Sequence, residues 1–254
     1  MKATSHPRIG WGLLAGLVLL LLLAGCAQPP SSGNNIPPAP NPPPTTQDGR
    51  LVYAITDAAA DLSSISRIDM TIDRVETHST TSGWTTVAFT PQTFNLLDLR
   101  DQDKAMVLAD AELNAGSYDQ TRLHVSSILI TDIENQTREA FLPSGELRFS
   151  STMNVDGGSV NTILLDVLAD VSLHQTGNGQ YIFAPVIQVE TREDADVTIQ
   201  NDDTIVITSG NITSSTRVGM DVQGNVGVNV QIPADANVVI ENGIVVIRGS
   251  LLVT

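Results

Sequence analysis

Beyond residue 48, apolar and polar residues alternate with a period of two along most of the chain, as in strands that bury one face and wet the other. Residues 51–56 form a short apolar run closed by Asp57. Over residues 66–72, Ile68, Met70 and Ile72 share one face, with Arg67, Asp69 and Thr71 on the other. The phase slips at Asp73-Arg74-Val75, which predicts a β-bulge. After the polar turn 79–83, residues 84–89 read as the return strand of a hairpin. Residues 94–99 and 118–125 are further strand candidates, and 104–113 is the one stretch with the character of a short helix. The longest alternation covers residues 162–174 and predicts one half-buried strand. Ile163, Leu165, Val167, Ala169, Val171 and Leu173 face inward there, and Asp166, Asp170, Ser172 and His174 outward. Gly177-Asn178-Gly179 then turns the chain into residues 181–189, apolar on both faces and therefore central.

The charged segment Glu190-Thr-Arg-Glu-Asp-Ala-Asp196 predicts a domain boundary. Short strands beyond it pair as hairpins: 197–199 with 204–208, 218–222 with 226–232, and 238–240 with 244–247. The last pair turns at Asn242-Gly243, a dipeptide suited to the two left-handed positions of a type I′ turn. The expected architecture is all-β: an antiparallel β-sandwich over residues 49–190, followed by a small hairpin-rich β domain over 191–254.

The first 48 residues follow other rules. Lys2, His6 and Arg8 precede an apolar run from Trp11 to Leu23, too short for a spanning helix of about 20 residues but suited to a secretory signal. The run closes on Leu23-Ala24-Gly25-Cys26, which resembles the lipobox of bacterial lipoproteins. Residues 1–25 are thus expected to be a signal peptide, and Cys26 the lipidation site and membrane anchor. Ala27 and Gln28 follow with no aspartate, which by resemblance to lipoprotein sorting directs the chain to the outer membrane; neither face of it is favoured. Two or three acyl chains, at about 0.8 kcal/mol per buried CH₂, anchor stably. Eight of the 13 prolines lie between Ala27 and Gln47. Residues 26–48 are expected to be an extended tether, reaching roughly 60 Å at about 3.1 Å per residue.

Charge narrows the partners. The chain has 13 Lys+Arg and 28 Asp+Glu. With Lys2 and Arg8 removed, 11 basic residues face 28 acidic ones, a net charge of −17. Such a chain is no nucleic-acid binder and does not dock on anionic lipid by charge. A single cysteine excludes a disulfide framework and a Cys-based zinc site.

Several short stretches, in order and spacing, resemble an uncharacterised family of bacterial lipoproteins labelled domain of unknown function four-three-eight-two. They are Tyr53-Ala-Ile-Thr-Asp57, Gly83-Trp84, Leu96-Leu-Asp-Leu99, Ala115-Gly-Ser-Tyr118 with Arg122-Leu123, Leu164-Leu-Asp166, and Gly177-Asn-Gly-Gln-Tyr181 leading to Pro185-Val-Ile187. The resemblance covers about residues 49–190 and implies an envelope lipoprotein with a β-sandwich domain and no assigned activity. Thr121 departs from it, standing where an aliphatic residue is expected, with an effect on core packing at most.

No motif for catalysis or a cofactor is present, and the expected role is non-catalytic. Asp166, Asp170 and His174 are too far apart on one extended strand, at about 13 Å for four residues, to share a metal, and read as exposed polar residues. Acidic loops offer hard oxygen ligands for Ca²⁺, with Asp98, Asp101 and Asp103 the candidates, although an EF-hand's glycine and closing glutamate are missing. Trp84 at a hairpin edge could stack on a glycan, or simply cover the sheet. Two roles follow: a lipid-anchored structural or interaction module of the envelope, or a surface lipoprotein that binds glycan or uses calcium to adhere. An exposed Trp84 beside polar side chains favours the second.

Overall fold

In the computed structural model, which describes residues 47–57 and 62–248, the alternating segments become strands of two sheets packed face to face. The signal peptide, Cys26 and nearly all of the tether lie outside the described residues. The order is β1 (Gly49–Thr56), β2 (Ile65–Ser79), β3 (Gly83–Ala88), β4 (Gln92–Asn95), α1 (Leu96–Asp101), β5 (Ala105–Leu113) and β6 (Gly116–Asp132). Next come β7 (Thr137–Glu139), β8 (Glu146–Val155), β9 (Val160–Val167), the single turn α2 (Ala169–Ser172), β10 (Leu173–Gln175), β11 (Tyr181–Phe183) and β12 (Val186–Glu193). The chain closes with β13 (Val197–Ile199), β14 (Thr204–Ile207), β15 (Asn211–Met220), β16 (Val226–Val228), β17 (Val238–Glu241) and β18 (Ile244–Ile247).

The larger sheet has eight strands in the order β13-β14-β5-β1-β9-β12-β15-β16, antiparallel except for β1 beside β9. The smaller sheet is four strands wide: β2 and β6 run down its middle, β3 and β4 flank β2, and β7 and β8 flank β6. Leu51, Tyr53 and Ile55 from β1 and Ile163, Leu165 and Val167 from β9 enter the core from one side. Ile68, Met70 and Ile72 from β2, with Leu123, Ile128 and Ile130 from β6, meet them from the other. Each such side chain contributes about 1.5–3 kcal/mol by leaving water. Val52 and Ala54 point the other way and are also fully buried, because Ile205 of the β13–β14 hairpin packs over them.

The domain boundary expected at 190–196 is absent. β12 runs into the charged segment as far as Glu193, with Glu190 and Arg192 turned outward and paired at 2.7 Å, while Thr191 is buried and meets Thr213 at 2.8 Å. Strands β13 to β16 then extend the same large sheet, and only β17 and β18 pair apart from it. Alternating charge and hydroxyl is a strand signal here.

Three other expectations change. The strand expected over 162–174 stops at Val167, and residues 169–172 form α2. Polar groups hold that turn: Asp57 Oδ1 accepts the Ala169 N–H at 3.3 Å, and Ser172 Oγ accepts the Val186 N–H at 2.9 Å. The stretch expected as a short helix over 104–113 forms β5 from Ala105 on. Between β1 and β14 the strand has apolar neighbours on both faces, so Met106-Val-Leu-Ala109 carries no period of two. Residues 94–99 divide into the end of β4 and α1. β8, which the sequence reading passed over, alternates perfectly: Leu147, Phe149, Ser151, Met153 and Val155 are buried between exposed neighbours.

Candidate ligand-binding site

The outer face of the smaller sheet is ruled like a grid by strand register. Trp84 on β3 stands opposite His78 on β2, which stands opposite Gln120 on β6 and then Ser150 on β8. The next row is Thr86, Glu76, Arg122 and Arg148, and the third holds Arg74, His124 and Glu146. Residues between these, such as Thr77, Val75, Thr121, Leu123 and Phe149, point into the core. A bulge between Tyr118 and Gln120 turns Asp119 outward as well.

The side chains on this grid converge. The Arg122 guanidinium carbon lies 4.0 Å from the centroid of the half-buried Trp84 ring, and that of Arg148 lies 5.3 Å away. The His78 ring is tilted against the indole with centroids 5.1 Å apart, and its Nδ1 donates to Asp119 at 2.6 Å. Arg122 reaches Glu76 at 3.3 Å and Glu146 at 3.2 Å. His124 Nε2 donates to Glu76 at 3.0 Å while its Nδ1 accepts from Arg74 at 3.2 Å. Arg148 Nε donates to Gln120 at 2.7 Å. Burial opposes the charge on Glu76, yet the hydrogen bonds from His124 and Arg122, together with the Arg74 and Arg122 charges, outweigh it and hold the carboxyl below its ordinary range.

Trp84 was the sequence candidate on this face. His78 opposite it follows from counting back through the 79–83 hairpin turn. Glu76, Arg122, His124, Glu146 and Arg148 were not singled out, because the β2–β6 and β6–β8 pairings that assemble them join distant segments.

The calcium candidates do not assemble. Asp98 lies in α1, Asp101 is bonded to Arg100 at 2.7 Å, and Asp103 occupies a left-handed backbone position at φ 49°. Among the described residues no group of three or more His, Cys, Asp or Glu is placed to hold a metal ion. No described helix is long and apolar enough to cross a membrane.

Asp166, Asp170 and His174 do not share a strand: they belong to β9, α2 and β10. His174, expected outside, is 9% exposed, and its Nε2 is buried without a hydrogen-bond partner. It lines a cavity of about 190 Å³ with Asp170, Gln175 and Gln231. Burial pushes its pKa below the ordinary 6.5, opposed by a hydrogen bond with the Val171 backbone. The unfolded chain then binds a proton that the folded chain resists, so this contribution to stability is full above pH 6.5 and declines as pH falls below it. Thermal unfolding is expected to show that decline, and His174→Phe to flatten it. An equal slope in the variant would remove His174 as its source.

The family model described as Domain of unknown function (DUF4382) matches residues 48–185. That span runs from β1 through β11 and contains the whole Trp84 grid. No curated protein and no solved structure matches the chain.

Proposed function

The chain belongs to the family described as Domain of unknown function (DUF4382), and from that premise we propose that it is a non-catalytic interaction module of the bacterial envelope. It is held by an acylated Cys26 and a proline-rich tether to the outer membrane, and it binds its ligand on the Trp84 face. The observation that carries the reading is the convergence on one indole of Arg122, Arg148 and His78, on an open polar sheet surface. An aromatic plane among fixed hydrogen-bonding groups is suited to recognition. The state of Glu76 favours binding over chemistry, since a carboxylate held below its ordinary range is a weak proton acceptor near neutrality. The calcium alternative finds less support, because Asp101 is already engaged by Arg100.

Two experiments test this. Cys26→Ala is expected to leave the chain unacylated with its signal peptide uncut; a variant that stayed membrane-bound and fully processed would remove the anchor. The full-length protein is expected to co-sediment with isolated cell-envelope polysaccharide and to lose that association in Trp84→Ala. Equal sedimentation by wild type and variant would remove the Trp84 face as the binding surface.

A further inference from the structure

The ligand class can be read from how charge is distributed. The chain beyond residue 46 carries 11 Lys+Arg and 28 Asp+Glu, an excess of 17 negative charges. The Trp84 grid, with its flanking Asp119, departs from this. It holds Arg74, Arg122 and Arg148 against Glu76, Asp119 and Glu146, so it is balanced before either histidine is counted. The whole excess of negative charge therefore sits elsewhere. The three mature histidines are likewise concentrated, with His78 and His124 both here.

The arginines are not equally occupied. Arg122 lies between Glu76 and Glu146. Arg74 and Arg148 have no carboxylate within ion-pairing distance among the described residues. Arg74 bonds a histidine ring and Arg148 an amide oxygen, and both are exposed. A guanidinium outside any ion pair keeps its forked donor set for an incoming anion, although the Arg74 charge also acts on Glu76.

We infer that this face takes an acidic glycan, a short oligosaccharide bearing carboxylates of the uronic acid type; the inference rests on the binding reading above. A sugar ring stacks on the half-exposed indole of Trp84, its carboxylate is received by Arg148, and Arg74 receives a second carboxylate farther along. Gln120 and Ser150 in the Trp84 row, and Thr86 at the far end of the Arg148 row, offer hydrogen bonds to the hydroxyls. With about 4.8 Å between strands and about 3.4 Å between residues, the grid spans roughly 14 Å in each direction, the scale of a short oligosaccharide rather than a single sugar. An open sheet face admits a chain lengthwise. The net negative charge disfavours a nucleic acid or an anionic bilayer, each of which would bring many charges close to the acidic remainder of the domain. A short acidic glycan brings few, and they fall within reach of the arginines.

Calorimetric titration of the full-length protein in detergent tests this, with trigalacturonate as the acidic probe and maltotriose as the neutral one. Trigalacturonate is expected to bind and maltotriose to bind at least about tenfold more weakly, the factor that one lost charged contact supplies. Arg148→Ala is expected to weaken trigalacturonate about tenfold and maltotriose by a clearly smaller factor, while Trp84→Ala weakens both. Rising salt is expected to weaken only the acidic probe. Arg148 is exposed, so its variant should melt like the wild type, which separates lost binding from lost folding. Equal affinity for the two probes, or trigalacturonate binding indifferent to Arg148→Ala, would overturn the acidic assignment and leave the Trp84 face as a binding surface. Failure of trigalacturonate alongside Trp84-dependent sedimentation with envelope polysaccharide would do the same. Failure of both would overturn the binding reading itself.

Discussion

Thr121→Val is expected to lower stability by about 1–3 kcal/mol, although valine is the aliphatic residue that the family pattern leads one to expect and is the better strand former. Thr121 is fully buried on β6, and its hydroxyl meets Tyr53 Oη at 2.8 Å and Ser151 Oγ at 2.7 Å. Those three side chains come from β1, β6 and β8, so the hydroxyl chain crosses the interface between the two sheets. Burial raises the Tyr53 pKa to about 12, against hydrogen bonds to Thr121 and Thr77, and the phenol stays protonated through neutral pH. Removing Thr121 Oγ1 takes away the middle of the chain and leaves Tyr53 Oη and Ser151 Oγ each short of a partner in the core. Replacing all three at once, as Tyr53→Phe, Thr121→Val and Ser151→Ala, removes donors and acceptors together and is expected to cost less than the sum of the single changes. Thermal unfolding of the singles and the triple measures this, at about 2–4 °C per kcal/mol for a domain of this size. Additive costs, or a Thr121→Val protein more stable than the wild type, would show that the hydroxyls do not act together. The sequence-based view of Thr121 as a minor loss of packing is replaced by a polar link between sheets.

Gly219→Ala is expected to be at least as damaging, at about 1–3 kcal/mol or more. Gly219 lies on β15 opposite Val186 of β12 and Gly227 of β16. A Cβ there would fall on the Val230 backbone oxygen, far inside van der Waals contact, and would also crowd Val186 Cγ2 at 3.2 Å. A backbone oxygen has no rotamer to retreat into, so the segment after β16 must move. That motion drags on Ile232, which is 3% exposed in the main core. Gly243→Ala makes the comparison. Nothing lies within 4 Å of its added Cβ, so it bears only the strain of a left-handed backbone at φ 76°, about 1–2 kcal/mol. Denaturant midpoints of the two variants should order them with Gly219→Ala the less stable. The reverse order would mean that the 226–232 segment yields freely.

The grid, the hydroxyl chain and the glycine contact share a limit on what could be read beforehand. Tyr118 shows the easier case: it is buried just after the Asn114-Ala-Gly116 turn, and its hydroxyl donates to the Asn114 carbonyl at 2.9 Å. That bond spans four residues. Tyr53 and Thr121 are 68 residues apart, and no local pattern ties one to the other.

What the sequence by itself determined is therefore local: which stretches alternate and where they turn. The alternation of β2, its bulge around Asp73-Arg74-Val75, and the β2–β3 hairpin all stand. So does the Asn242-Gly243 turn, with φ of 51° and 76° at its two central residues. Period and turn chemistry act over a few residues, and neighbours in the chain supply the forces involved. Only the tertiary structure decided that the 162–174 alternation breaks at Leu168, because Asp57 accepts the Ala169 N–H from outside the turn and Ser172 ties the turn to the Val186 N–H of β12. It alone carried the large sheet across the charged 190–196 segment, since strand pairing depends on which edge is free rather than on charge in the sequence. It also brought Trp84, Glu76, Arg122 and Arg148 together, by giving each of four strands one place in a shared register.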